Sequence, residues 1–149
     1  MGDMGLHGNR IAADPNLSAE SKLIAVLQFV FAPKSKESGK SGNGSFEMDP
    51  LVHLKLTEMF YVKMEPVFAA IAEQGVKEGV FSVPYPRETA RLLLRGITEY
   101  IHSSFTRNPI ENGEEDSMAV IDYVLNSALG TGRTSGFLVM ANTRKEGRA

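Results

Sequence analysis

Three histidines, His7, His53 and His102, are the side chains best suited to moving a proton or holding a metal at neutral pH, and no two of them are four residues apart. None lies in a metal-ligand motif, so each reads as an ordinary surface or core histidine. The chain has no cysteine, which removes disulfides, thiolate zinc sites and cysteine nucleophiles. Gly39-Lys40-Ser41 has the form of the end of a phosphate loop. That loop needs a glycine five positions earlier, where Lys34 stands, and a preceding strand, which the pattern lacks. Ser103 and Ser104 are not framed as Gly-x-Ser-x-Gly, and the carboxylates are scattered over solvated helix faces. The expectation is no enzyme, no cofactor and no metal.

Binding is better represented. Met59, Phe60, Met64 and Phe68 recur along one helical stretch. Methionine and aromatic side chains make adaptable apolar cavities, and they also make ordinary core, so both readings stand for this stripe. Phe29, His53 and Tyr100 are further candidates for the same pocket, as aromatic walls or a polar contact.

The elements that position these residues are helical throughout. Ser18 is a good N-cap, and Leu23, Val26, Leu27 and Val30 follow it at the spacing of a buried stripe, with Pro33 as a stop. Residues 34–47, rich in Gly, Ser and Lys, read as a flexible loop. Asp49-Pro50 opens a long helix that should reach Glu78, with a kink expected at Pro66 and Gly79 as its left-handed cap. Pro86 starts the next helix, which should bury Ala90, Leu94, Ile97, Ile101 and Phe105. A last helix is expected from about Glu114 to Leu129, apolar on two sides. Met118, Ile121, Leu125 and Ala128 form one side; Val120, Tyr123, Val124 and Ser127 form the other. The second side needs cover, either from another subunit or from residues 135–142 folding back. Residues 137–141 suit a turn of helix or a short strand. Residues 1–13 and 143–149 are expected to be flexible.

The bulk numbers agree with one soluble domain. There are 149 residues, 42% apolar and 23% charged, with a formal net charge of -2. The chain lacks the basic excess of a self-sufficient nucleic-acid binder. It shows no signal-peptide pattern, and its most apolar run, 23–32, is far shorter than the roughly 20 residues of a bilayer span. A cytoplasmic protein without a membrane partner is expected.

The stretch around His53 to Ile101, "VHLKLTEMFYVKMEPVFAAIAEQGVKEGVFSVPYPRETARLLLRGI", resembles the regulatory domain of TetR-family transcription factors. "IAADPNLSAESKL" resembles the segment that opens that domain. The resemblance implies an all-α antiparallel bundle that binds a small effector and forms a homodimer. In such proteins the last two helices of each subunit make a four-helix bundle across a two-fold axis, which here implies Leu92, Gly96, Val120, Tyr123, Val124 and Ser127 at the interface. It also implies a regulator, of repressor type, whose operator is read by an N-terminal helix-turn-helix. The residues before Asp14 leave no room for one, so this chain is not expected to bind an operator by itself. A helical dimerisation module without a ligand is the alternative reading.

Overall fold

The computed structural model describes residues 3–30, 49–106 and 113–138, and within them the chain is all helical. Five helices follow one another: α1 (Asp3–Ala13), α2 (Ala19–Val30), α3 (Pro50–Glu78), α4 (Pro86–Thr106) and α5 (Gly113–Leu129). α3 is the spine. α1, α2 and α4 all pack on it, and α5 packs on α4. The loop at 34–47 and the tail at 143–149 lie outside the described residues.

Local chemistry places most helix ends. The Ser18 hydroxyl accepts from the Ser21 amide at 3.2 Å, as an N-cap does. The Asp49 carboxylate accepts from the Leu51 amide at 2.8 Å, and Pro50 occupies a first-turn position where a missing amide costs nothing. α3 stays helical past Pro66. That proline is exposed, as is Val62, whose carbonyl loses its usual donor, so the gap in the ladder falls on the solvent side.

The α3–α4 joint is the tightest turn. Gly79 caps α3 with φ 78° and ψ 10°, and its amide donates to the carbonyls of Gly75 and Val76. The amides of Val80 and Phe81 both donate to the Gly75 carbonyl at 3.0 Å. The chain is thereby thrown back onto α3, and the Phe81 ring fills the space beside Gly75: a β-carbon there would be 1.9 Å from the ring.

Ala19, Leu23, Val26 and Leu27 of α2 meet Met64, Val67, Phe68 and Ile71 of α3, with Ala90, Leu94 and Ile97 of α4 and Ile121, Leu125 and Leu129 of α5. The expected buried stripes of α2, α4 and α5 are therefore present, with Ile101 half-buried and the Phe105 side chain outside the described set.

Residues 1–13, expected to be flexible, instead contain α1. Glycine is a poor helix former, and the two at 5 and 8 lowered the expectation. Their role is close approach. A β-carbon at Gly8 would lie 3.2 Å from Val67, and one at Gly5 would lie 3.3 Å from Lys63. α1 thus sits against α3 through its backbone, with Ile11 and Ala12 on the core and the His7 ring 4.4 Å from that of Phe29. After α5, residues 131–138 form neither helix nor strand, and 139–141 of the expected turn or strand lie outside the described residues. Phe137 and Leu138 are nonetheless buried.

The joint makes a paired prediction. An added β-carbon at Gly79 touches nothing within 4 Å. Gly79→Ala should therefore cost only the left-handed backbone penalty, about 1 kcal/mol. Gly75→Ala must displace Phe81 and should cost about 2–3 kcal/mol as an overpacked core does. Urea denaturation checks both, and equal losses would mean that Phe81 is not seated against Gly75.

Candidate ligand pocket and subunit face

A cavity of about 20 Å³ lies at the centre of the bundle. Leu23 of α2, Phe68, Ile71 and Ala72 of α3, Phe81 of the crossover, Leu93, Leu94 and Ile97 of α4, and Leu125 and Leu129 of α5 line it. Every one of these is apolar. The volume suits about one water molecule, whereas sites for drug-sized ligands span about 300–1,000 Å³.

Of the seven residues expected to form a pocket, only Phe68 lines this cavity. Met64 is fully buried elsewhere in the core. Phe60 is half-buried, with its ring edge-on to Tyr61 at 5.7 Å. Phe29 lies beside His7, while His53, Met59 and Tyr100 are exposed. Helix geometry explains the scatter. Each residue turns about 100° from the last, so Met59 points well away from the stripe of Phe60, Met64 and Phe68. Full burial on α3 begins at Tyr61, and His53 is exposed on the turns before it.

The six residues expected at a subunit interface are all exposed. Leu92 is 74% exposed, Tyr123 55%, Val120 48% and Val124 41%. Gly96 and Ser127 are exposed beside them on the same helix faces, and a β-carbon at Gly96 would meet nothing within 4 Å. The return segment 130–138 does fold back on α5. It docks at Asp122 and Asn126, on the opposite side from Val120, Tyr123, Val124 and Ser127.

Three polar ties were not anticipated from sequence. In the first, Lys22 is buried, and its Nζ donates to the Ala12 carbonyl at 2.7 Å and to Gln74 Oε1 at 2.6 Å. Gln74 Nε2 donates to the Leu17 carbonyl and to Glu78 Oε2, both at 3.0 Å. Glu78 Oε1 in turn accepts from the Ala19 amide at 2.8 Å, at the positive end of α2. This network closes the ends of α1, α2 and α3 on one another. The Ala19 amide, then Gln74, hold the Glu78 carboxyl below its ordinary pKa.

The second tie runs along α3 and α4. Glu73 pairs with Arg87 at 3.3 Å, Glu65 with Arg91 at 3.4 Å and Arg95 at 2.7 Å, and Glu58 with Arg95 at 4.0 Å. The order is reversed between the helices, as antiparallel packing requires. The Arg95 guanidinium also lies 4.4 Å from the Tyr61 ring centre. Burial first, then Glu99, push the Tyr61 phenol above its ordinary pKa. The third tie is the fully buried Asp122 carboxylate, which accepts from the Gly136 and Phe137 amides, each at 3.0 Å. The sequence does carry a signal for the first and third. Lys22 lies one turn before buried Val26, and Asp122 and Asn126 alternate with Ile121 and Leu125.

Among the described residues, no group of three His, Asp or Glu side chains is placed to hold a metal ion. No described helix is long and apolar enough to cross a membrane.

Comparison with known families gives one likeness. The family model described as "Tetracyclin repressor-like, C-terminal domain" matches residues 43–112, the part of the chain that contains α3, the Gly79 joint and α4. Over these residues the chain is similar to TetR-family C-terminal domains. No curated protein and no solved structure matches it. Domains of this kind belong to transcriptional regulators rather than to enzymes, in keeping with the helical architecture.

The Glu78 tie is testable by pH. A carboxyl that titrates lower when folded contributes stability above its unfolded pKa and loses that contribution as pH falls through the folded value. The melting temperature of the wild type should exceed that of Glu78→Gln most at neutral pH, and the gap should close on acidification. A gap independent of pH would show that the Glu78 charge does not hold α2 to α3.

Proposed function

We propose that this TetR-like domain is the effector-binding and dimerisation half of a transcriptional repressor. It pairs with a second copy through α4 and α5. It also binds a small, mainly apolar effector in the bundle core, and it passes the bound state to an N-terminal helix-turn-helix domain that reads the operator. Effector binding shifts the population between dimer geometries, by no more than the difference in its affinity for them.

The observation that carries this reading is the exposed apolar face of the last two helices. Leu92, Val120, Tyr123 and Val124 are all more than 40% exposed, while the return segment that folds back on α5 leaves them bare. A face of this kind on packed neighbouring helices suits a two-fold contact in which each patch meets its own copy.

A second reading has its own support. The cavity of about 20 Å³ is too small for an effector, which favours a dimerisation module without a ligand. Calorimetric titration with a panel of apolar compounds separates the two, because the first reading requires a saturable binder and the second requires none.

The subunit contact has a direct test. Val124→Arg puts a charge into the middle of the proposed interface without touching the core. It should weaken the dimer by about thirtyfold or more in sedimentation equilibrium, with helical content unchanged. A wild type that is monomeric at high concentration, or a variant that dimerises as well as the wild type, would remove this face from the account.

A further inference from the structure

The segment that follows α5 is tied by a small set of polar contacts among the described residues. The backbone of 131–138 has no helical or strand partners of its own. The Thr131 amide donates to the Asn126 carbonyl at 3.1 Å, and its hydroxyl donates to Asn126 Oδ1 at 2.6 Å. Arg133 pairs with Glu20 on α2 and lies over the Phe137 ring at 5.7 Å. The Gly136 and Phe137 amides bind the Asp122 carboxylate. Phe137 itself is 1% exposed, and its ring meets Phe81 edge-on at 6.3 Å. Phe81 is also a wall of the central cavity. Phe137 therefore abuts a residue of that wall, on a strap without regular secondary structure.

We propose that the 130–138 strap is a displaceable plug on the effector site, with Phe137 occupying space that the effector takes. This rests on the effector-binding reading and adds the route and the chemical class. Withdrawing Phe137 would vacate the volume of its ring beside Phe81, and a Phe81 ring turned into that space would open the cavity it now lines. Voids of about 150 Å³ with such aliphatic and aromatic walls take up benzene-sized molecules. A segment without regular structure opens at lower cost than the helices around it.

The same displacement sets the polarity of the ligand. When the strap leaves, the Asp122 carboxylate keeps the Asn126 Nδ2 donor at 3.0 Å but gives up two amide donors, and Asn126 Oδ1 gives up the Thr131 hydroxyl. Both are acceptors, deep in an apolar setting, and their lost bonds need replacement. The occupant that fits is an apolar body bearing an ammonium or another N–H donor, such as an arylalkylamine. A hydrocarbon of the same shape fills the space but leaves those bonds unreplaced.

The test uses the whole chain and two probes, 2-phenylethylamine and propylbenzene, with calorimetry for binding and hydrogen exchange for the strap. The amine should bind the wild type, and exchange at the Gly136 and Phe137 amides should quicken by about tenfold or more while the buried amides of α4 keep their protection. Phe137→Ala, which removes the plug, should bind the amine about tenfold more tightly, because less of the affinity is spent on opening. Arg133→Gln leaves the core intact and loosens only the strap; it should bind the amine several-fold more tightly, covering the case in which Phe137→Ala does not fold. Propylbenzene should bind each protein more weakly than the amine. If either probe binds the wild type while Gly136 and Phe137 exchange as before and neither variant gains affinity, the plug is overturned and the effector reading stands. If neither probe binds wild type or variants, the plug is overturned as well, and the effector reading then depends on the wider compound panel alone.

Discussion

The Phe81 ring lies where a β-carbon of residue 75 would have to be, and much of the structure follows from that contact. It requires glycine at 75, and it requires the chain to reverse within the few residues after Gly79, whose left-handed conformation makes the reversal possible. The reversal sets α4 antiparallel to α3, in the register that the glutamate–arginine pairs complete. It also buries Phe81 in the core, where the ring lines the cavity and meets Phe137 edge-on. A looser joint would move α4, and with it the outer face that carries Leu92 and Gly96.

The buried polar groups do a different job from the apolar core. Apolar contacts supply driving force but tolerate sliding, whereas a buried Lys22 or Asp122 is satisfied in one arrangement only. Lys22, Gln74 and Glu78 lock the ends of three helices, and Asp122 locks the strap. The exposed pairs along α3 and α4 contribute little free energy individually and are better understood as fixing register. The outcome, among the described residues, is a well-filled core with apolar side chains exposed on α4 and α5 and also on the first half of α3. An interior secured at its ends by specific polar bonds can be changed locally, at the strap, without loosening the helices that carry the subunit face.

What could be read from the sequence was what depends on near neighbours. Ser18, Asp49-Pro50, Gly79 and Pro86 mark helix ends through bonds within a few residues, and each stands where its chemistry put it. The two-sided character of α5 was legible for the same reason, since Ile121 and Leu125 are buried while Tyr123 and Val124 are not. α1 was missed because Gly5 and Gly8 oppose helix formation locally, and their compensation is contact with Lys63 and Val67, far along the chain. The pocket was misdrawn because a list of methionines and aromatics does not say which way each points; Met59 and Phe60 are adjacent and face apart. The polar ties were hidden by distance. Lys22 and Gln74 are 52 residues apart, and Asp122 and Phe137 are 15 apart.

The absence of cysteine offers the most direct test of the account, which centres on a subunit face on α4 and α5. Ser127→Cys would place a single thiol on the exposed side of α5, and Gln28→Cys would place one at an exposed position on α2. Both proteins would be oxidised at the same low concentration and followed on a non-reducing gel. The account predicts rapid conversion of the Ser127→Cys protein to a covalent dimer, with the Gln28→Cys protein remaining monomeric. Equal rates for the two, or faster linkage through position 28, would contradict it.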